Sequence, residues 1–173
     1  MFYSFRFLMT GEREAETVSK HHVNALVRPP NLFLSGLTAG CVLELIAPLG
    51  PGLAGGSARP VWVGLGLVVI AVGIAAKAVS QFTQAGTSIP VDQPTDALVT
   101  NGLYGLSRNP IYIALVILYL GLSIALTSGW ALLVLPFLIV ILQRGVIERE
   151  EVFLAKEFGE TYLSYKKKVP RWL

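Results

Sequence analysis

Four long apolar segments dominate the sequence, and each is about as long as a helix that crosses a lipid bilayer. A hydrocarbon core roughly 30 Å thick takes about 20 helical residues. The segments cover residues 32–49, 61–79, 111–126 and 130–147. Each is apolar around its whole circumference, whereas a surface helix of a soluble protein keeps a polar face. We therefore predict an all-α integral membrane bundle of four transmembrane helices.

The composition agrees with this prediction. Hydrophobic residues make up 53% of the 173-residue chain and charged residues 14%, against about 25% charged residues in an average soluble domain. This length suits one domain and is too short for two well-packed ones. We expect a single membrane domain over residues 31–173 and a polar arm over residues 1–30 outside the bilayer core. We expect no cleavable signal peptide, because the arm has no central apolar run.

Lysine and arginine predict the orientation of the spans, because cytoplasmic loops carry an excess of both. The N-terminal arm has four of them, the loop before the second span has only Arg59, and the loop before the fourth span has none. Lys77 and Arg108 flank the second loop, and seven more lie at the end of the fourth span and beyond it, from Arg144 onward. We expect both termini in the cytoplasm. The tail, residues 148–173, should form an amphipathic helix with its lysines toward anionic headgroups.

A polar stretch leads directly into the third span. Pro110 suits the first turn of a helix, where its missing N–H costs nothing. The free backbone donors of that turn, together with Arg108, favour an anionic group such as a carboxylate or phosphate. The alternative is that Arg108 is an interfacial anchor and that Tyr104 and Tyr112 belong to an aromatic belt.

A second charged cluster lies where the fourth span ends. It contains Arg144, Glu148, Glu150 and Glu151 within about two helical turns. Arg144 and Glu148 are four residues apart and can pair on one helix face. Clustered carboxylates can also hold a cation, such as an ammonium or a sulfonium centre. The alternative is a solvated, charge-balanced helix end. Together the two polar stretches offer an anion site beside a cation site, and S-adenosylmethionine carries both kinds of charge.

Two motifs carry a family resemblance. Gly102-x-Tyr104, followed by Ser107-Arg-Asn-Pro-Ile-Tyr112, resembles the Gly-x-Tyr…Ser-Arg-His/Asn-Pro-x-Tyr signature of the isoprenylcysteine and phosphatidylethanolamine methyltransferase families. The tail is similar to the Glu-Glu…Phe-Gly-x-x-Tyr-x-x-Tyr…Val-Pro-Arg ending of the same group, from Glu150 to Arg171. With the loop at residues 85–87, the resemblance covers about residues 81–173.

The resemblance implies a helical membrane enzyme that binds S-adenosylmethionine from the cytoplasm and takes a lipid or prenylated acceptor from the membrane. Two residues would face the reacting centre or the acceptor, namely Arg144 and Glu148. The residues that would line the cofactor pocket are Gly102, Tyr104, Arg108, Asn109, Pro110, Tyr112, Glu150 and Glu151.

One departure from the family pattern bears on the acceptor. Many members have histidine where this chain has Asn109, and asparagine cannot exchange a proton. An acceptor that needs no deprotonation, such as a carboxylate, is favoured. An amine acceptor would require another base, for which Glu148 is a candidate.

Other polar residues leave further possibilities open. Glu44 lies inside the first span, where it could contact an acceptor headgroup or pair with Lys77. Gly36 and Gly40 predict close helix packing. One cysteine and the adjacent pair His21 and His22 make a metal site a poor hypothesis, and we expect neither a metal nor nucleic acid as a partner.

Two other functions compete with methyl transfer. One is an NADPH-dependent membrane reductase of the sterol reductase type, whose motif and ending are similar. However, the Asn between Pro and Tyr in that motif is missing here, and the chain is short for that group. The other is a non-catalytic lipid-binding protein. The short chain and few spans favour a bacterial or archaeal inner membrane over the endoplasmic reticulum.

Overall fold

The computed structural model describes residues 28–49, 59–84 and 98–173. Nearly all of the predicted N-terminal arm, including both histidines, lies outside the described residues, as does the loop at residues 85–87. The described residues form helices and connecting turns, with no strand among them. The all-α prediction is confirmed for this part of the chain.

Five α-helices lie within the described ranges, and short helical turns of other types separate some of them. The α-helices are α1 (Pro29–Ile46), α2 (Arg59–Gln84), α3 (Pro110–Ala125), α4 (Gly129–Leu142) and α5 (Glu148–Lys168). A 3-10 turn (Gly102–Gly105) precedes α3, and a π-helical turn (Gln143–Ile147) joins α4 to α5.

Three helices of the described ranges are long and apolar enough to cross a membrane. They are Pro29–Ile46, Pro60–Gln84 and the range Gly129–Lys168, which comprises α4, the π-helical turn and α5. The helix Pro110–Ala125 is also apolar but has only 16 residues, or about 24 Å of helix. The structure thus supports a helical membrane protein, and a count of four spans stays a prediction.

Helix ends differ from the predicted ones for local reasons. The first helix begins at Pro29 rather than at residue 32, because prolines are well accommodated in a first turn that needs no donors. It ends at Ile46, since a residue before Pro48 is disfavoured in helical conformation. The second helix continues to Gln84, five residues beyond its predicted end. That extension brings polar and aromatic residues of α2 to the 3-10 turn.

The helices pack in the order α1, α4, α3, α2, with each in contact with the next. A short connection joins α3 to α4, as predicted, and Ser128 caps α4 by accepting a hydrogen bond from the backbone of Ala131 at 3.2 Å. Tyr119 of α3 donates its hydroxyl proton to the carbonyl of Ala131 at 3.0 Å. These contacts fix the two central helices of the bundle to each other.

Glycines allow the closest helix crossings. A Cβ on Gly40 would lie 2.6 Å from the backbone of Ala131, and one on Gly36 would lie 2.7 Å from the side chain of Leu138. Both glycines of α1 therefore face α4, and the predicted close packing is confirmed. The crossing of α2 and α3 is equally tight, because a Cβ on Gly64 would lie 2.5 Å from the carbonyl oxygen of Gly121.

This crossing makes a stability prediction with a matched control in the same helix. Replacing Gly64 with leucine should destabilise the protein by about 2 kcal/mol or more, because the side chain must displace the backbone of α3. A Cβ on Gly66 would meet no neighbouring atom of the described residues within 4 Å, so Gly66→Leu should leave the stability within about 0.5 kcal/mol of the parent. Unfolding of each variant in mixed micelles gives its free energy of unfolding, which is compared with that of the parent. Equal losses would contradict the described crossing.

Glu44 has a structural role, and the predicted pairing with Lys77 is wrong. Its carboxylate accepts hydrogen bonds from the backbone N–H groups of Leu49 at 3.1 Å and of Trp130 at 3.2 Å. Trp130 lies in the first turn of α4, where a negative charge is favourable. Glu44 therefore joins the end of α1 to the start of α4 and pairs with neither Lys77 nor the charged cluster, which lies at the opposite end of α4.

Candidate functional site

Both predicted polar stretches meet at one end of the bundle. The extended end of α2 supports the 3-10 turn there. Tyr104 is buried against Ala78 and Phe82, with its ring 5.0 Å from that of Phe82 in an edge-to-face arrangement. The side chain of Gln81 donates to the carbonyl of Asn101 at 3.0 Å and accepts from the N–H of Leu103 at 3.1 Å. These contacts hold the turn at a defined place on α2.

The charged part of α5 lies against the same turn. Gly159 interrupts this helix with a φ of +51°, a conformation that suits glycine. Beyond it, the hydroxyl of Tyr165 donates to the carbonyl of Tyr104 at 2.6 Å. Tyr162 is almost completely buried, and its hydroxyl accepts a hydrogen bond from Arg108 at 3.4 Å. The Tyr-x-x-Tyr spacing of the tail thus joins α5 to the stretch before α3.

Arg108 and Glu151 form the centre of a buried ion-pair network. Nη1 of Arg108 lies 3.0 Å from Glu151 Oε1, and the two side chains are 9% and 7% exposed. Glu151 also accepts from Arg171 Nε at 2.7 Å and from Lys166 at 3.0 Å. Burial raises the pKa of Glu151, but the hydrogen bonds from Arg171 and Lys166 outweigh it, so that the pKa lies below its usual range. The carboxylate is therefore ionised at neutral pH.

Glu150 has a contrasting environment. Its Oε1 accepts a hydrogen bond from the hydroxyl of Tyr112 at 2.6 Å. No lysine or arginine of the described ranges pairs with it. Burial raises the pKa of Glu150 to about 7, although the bond from Tyr112 acts in the opposite direction. Burial, followed by the charges of Tyr165 and Glu150, also raises the pKa of Tyr104. The site thus contains one carboxylate neutralised by cations and one that is not.

The predicted residues at the end of α4 separate in the structure. Arg144 is exposed, and Glu148 pairs with Arg171 at 3.4 Å instead of with Arg144. The predicted pairing of Arg144 with Glu148 is wrong because the chain is π-helical here, and the wider turn places residues five apart side by side. Accordingly, the amide of Gln143 donates to Glu148 Oε1 at 3.4 Å.

Asn109 and Pro110 are buried at the start of α3. The amide of Asn109 donates to the carbonyl of Arg171 at 2.9 Å and is thereby committed to the C-terminal tail. Gly102 is exposed in the 3-10 turn, beside the side chain of Gln81. The structure therefore brings Tyr104, Arg108, Asn109, Tyr112, Glu150 and Glu151 together, whereas Arg144 lies at the edge of this group.

Two buried polar atoms of the described residues have no hydrogen-bond partner. They are the hydroxyl oxygen of Tyr104 and Nε of Arg108. Buried polar groups are almost always paired in proteins, and an unpaired one calls for an explanation such as a ligand. Both atoms belong to predicted cofactor-binding residues, and the charge of Glu150 acts on the hydroxyl of Tyr104. This group can therefore bind a ligand that has both anionic and cationic centres.

Several residues of the group were not assigned a role from the sequence. Arg171, Lys166, Tyr162, Tyr165 and Gln143 all contact a predicted site residue. The Tyr-x-x-Tyr and Val-Pro-Arg motifs of the tail were the available signal for three of them. The residue spacing gave no sign that Lys166 contacts the site, because it is the first of three consecutive lysines and belongs to neither motif.

Comparisons with known proteins agree with the motifs. The phospholipid methyltransferase family matches residues 60–161. The protein named protein-S-isoprenylcysteine O-methyltransferase is 32% identical over 112 residues in Rattus norvegicus, covering 62% of this chain and 39% of the relative. Its human counterpart is 32% identical over 117 residues, with the same coverage of 62% and 39%. The chain thus spans about two fifths of the length of these relatives.

A bacterial relative is also similar. An uncharacterized protein of Haemophilus influenzae is 35% identical over 63 residues, which cover 36% of this chain and all of that protein. No solved structure matches the chain significantly.

Proposed function

Because the chain belongs to the phospholipid methyltransferase family, we propose that it transfers a methyl group from S-adenosylmethionine to a lipophilic acceptor held in the membrane. The observation that carries the proposal is the buried group formed by Tyr104, Arg108 and Glu150, with two unpaired polar atoms and one carboxylate without a cation among the described residues. The relatives named as O-methyltransferases support the reaction class.

The residues at the site fit the methyl donor. Nε of Arg108 is a buried cationic donor without a partner among the described residues, and it suits a carboxylate. The half-buried carboxyl of Glu150, which has no cation among the described residues, suits an ammonium or sulfonium centre, since a charge removed from water is stable when it is paired. Tyr104 adds a hydroxyl that can donate or accept. We propose that these three residues, with Tyr112 behind Glu150, contact the donor.

The chain itself contributes orientation and charge. When bound, S-adenosylmethionine supplies a methyl group whose bond to sulfur breaks, with the electron pair staying on sulfur, as a lone pair of the acceptor forms the new bond. Positioning of the two partners can account for much of the rate. Exposed Arg144 lies in the π-helical turn that follows α4, and Glu148 begins α5. We propose that Arg144 faces the acceptor.

We propose that the acceptor is a carboxylate on a prenylated molecule. A carboxylate attacks through an oxygen lone pair and releases no proton, so the site needs no base. The side-chain pairing supports this, because the amide of Asn109 is committed to the carbonyl of Arg171 and Glu148 is paired with Arg171. The names of the mammalian relatives include an isoprenylcysteine acceptor.

We also propose that α1, α2, α3 and α4 all cross the membrane, with both termini in the cytoplasm. The helix α3 is apolar throughout, and its glycine crossing with the longer α2 keeps the two helices side by side. The distribution of lysine and arginine supports the orientation. The charged helix α5 then lies at the cytoplasmic interface. The host membrane in this proposal is the inner membrane of a bacterium or archaeon.

A labelling experiment tests the reaction. Protein in lipid nanodiscs is incubated with methyl-labelled S-adenosylmethionine and either farnesylated N-acetylcysteine or phosphatidylethanolamine. We expect label in the farnesylated compound that mild base releases, because a methyl ester is hydrolysed whereas an N-methyl group is not. Base-stable label on phosphatidylethanolamine would show that the acceptor is an amine and not a carboxylate. Absence of label from both compounds, with the protein folded, would contradict the proposal.

The ionisation of Glu150 predicts a pH dependence. Because burial raises its pKa to about 7, the carboxyl is mostly neutral at pH 6 and mostly ionised at pH 8. Binding of the cationic amino group of S-adenosylhomocysteine should therefore strengthen about tenfold from pH 6 to pH 8. Calorimetric titration at the two pH values measures this change in affinity.

Two variants make this pH test specific. Glu150→Gln should bind weakly at both pH values and show a flat profile. Glu157→Gln removes an exposed carboxylate of the same helix and should keep the parent profile. An unchanged slope in Glu150→Gln would exclude Glu150 as the titrating group.

A further inference from the structure

The C-terminal strap, residues 169–172, crosses the loop that leads into α3. The N–H of Arg108 donates to the carbonyl of Pro170 at 3.0 Å. The carbonyl of Arg171 accepts from the hydroxyl of Ser107 at 3.1 Å and from the amide of Asn109 at 2.9 Å. Three consecutive residues of the loop are thus bonded to two consecutive carbonyls of the strap. The position of the loop depends on the strap being held in place.

The side chain of Arg171 holds the strap against α5. Its Nε and Nη2 donate to the two oxygens of Glu151 at 2.7 and 3.0 Å, a two-point contact. Its Nη1 donates to Glu148 at 3.4 Å. The next residue adds a contact, since the indole of Trp172 donates to the side chain of Gln143 at 3.0 Å. Arg171 therefore links two parts of the molecule. Its carbonyl contacts the loop before α3, and its side chain contacts Glu148 and Glu151 at the start of α5.

Glu151 has no capacity left for a ligand in this arrangement. A carboxylate offers about four acceptor positions. Oε1 accepts from Arg171 Nε and lies 3.0 Å from Arg108 Nη1, and Oε2 accepts from Arg171 Nη2 and from Lys166. All four positions are used. Glu151 can influence a ligand through Arg108, whose Nε is buried and unpaired among the described residues.

We infer that Arg171 is a positioning residue for donor binding, and that it acts through Glu151 and the strap to fix the orientation of Arg108. The inference rests on the proposed function. Arg171 acts on the donor site indirectly. Its guanidinium makes a two-point contact with Glu151, and Glu151 in turn contacts one nitrogen of Arg108. The backbone carbonyl of Arg171 accepts hydrogen bonds from the residues on both sides of Arg108. The side chain of Arg171 thus reaches the guanidinium of Arg108 through Glu151, and the strap that it anchors holds the backbone around Arg108.

The test compares two charge-removing substitutions three residues apart. Arg171→Met should weaken binding of S-adenosylhomocysteine about tenfold, the size typical of a lost contact in a coupled network. It should raise KM for S-adenosylmethionine by a similar factor and change kcat less than about twofold. Lys168→Met removes the same charge from an exposed position and should keep the parent affinity. Arg171→Lys, which keeps the charge and lacks the fork, should fall between them.

A double-mutant cycle separates positioning from general stability. If Arg171 acts through Glu151, adding Arg171→Met to Glu151→Gln should weaken binding less than about twofold further. Additive losses, or parent affinity in a folded Arg171→Met protein, would overturn the inference. Should Arg171→Met fail to fold, the lysine variant decides by the same criterion.

Hydrogen exchange distinguishes a failed inference from a failed function. In Arg171→Met, amides of residues 106–109 should exchange faster than in the parent and in Lys168→Met, with or without ligand. If the parent protein binds no S-adenosylhomocysteine, the proposed function fails, and faster exchange would still sustain the structural link. Unchanged exchange in this segment would overturn the link itself.

Discussion

Replacing Glu151 with alanine is expected to lower the free energy of unfolding by about 3 kcal/mol, because it leaves a buried arginine without its counter-charge. Arg108 is 9% exposed and would lose its carboxylate partner. Lys166 is 43% exposed, so its pair with Glu151 adds little. The loss therefore comes mainly from Arg108 and from the two-point contact with Arg171. Unfolding in mixed micelles by a denaturing detergent measures the change.

Glu148 provides the matched control for this prediction. It lies one turn earlier on the same helix, is 45% exposed and has its ion pair with Arg171 at 3.4 Å. Glu148→Ala should therefore lower the free energy of unfolding by less than about 1 kcal/mol. Similar losses in both variants would show that burial does not distinguish the two carboxylates.

Replacing Arg108 with methionine is expected to weaken binding of S-adenosylhomocysteine about 100-fold while the protein stays folded. A buried charged hydrogen bond that loses one partner costs about 2–5 kcal/mol, which is roughly this factor or more. The fold should tolerate the change, because Glu151 keeps Arg171 and Lys166 as partners. Calorimetric titration gives the affinity, and thermal unfolding confirms that the variant is folded.

Lys156→Met is the control for Arg108→Met. It removes a positive charge from an exposed position on the same helix as the predicted carboxylates and should change affinity less than about threefold, because exposed charges interact weakly. Parent-like affinity in Arg108→Met would remove Arg108 from the donor site. Equal weakening in both variants would mean that net charge, and not a specific contact, determines binding.

The apolar segments predicted the helices because membrane helices must satisfy their own backbone and are apolar on all sides. Their ends were less predictable. Pro29 and Pro30 mark a first turn as readily as a boundary, and the last turns of α2 are polar enough to read as a loop. Those turns carry Gln81 and Phe82, which support the site.

The motifs predicted which residues gather at the site, but the pairing among them depends on geometry that spacing does not contain. Glu150 and Glu151 are adjacent in the sequence and were assigned one role. In the structure one carboxyl contacts Tyr112 and the other is surrounded by cations. Adjacent residues of a helix point about 100° apart, so they meet different elements.

The π-helical turn explains the wrong pairing of Arg144. A regular helix was assumed from α4 into α5, and in such a helix residues four apart are neighbours. The turn at Gln143–Ile147 adds to the circumference and makes Gln143 the neighbour of Glu148. The contribution of the strap was likewise beyond the sequence, since its contacts with Ser107 and Asn109 join residues more than 60 positions apart.

The central claim is that the buried group at Tyr104, Arg108 and Glu150 binds a methyl donor. Its most direct test is calorimetric titration of the full chain in lipid nanodiscs at pH 8 with S-adenosylhomocysteine, with NADPH as the parallel ligand. We predict saturable binding of S-adenosylhomocysteine that Arg108→Met weakens about 100-fold, and no binding of NADPH. Binding of NADPH alone, or S-adenosylhomocysteine affinity that Arg108→Met leaves unchanged, would contradict the claim.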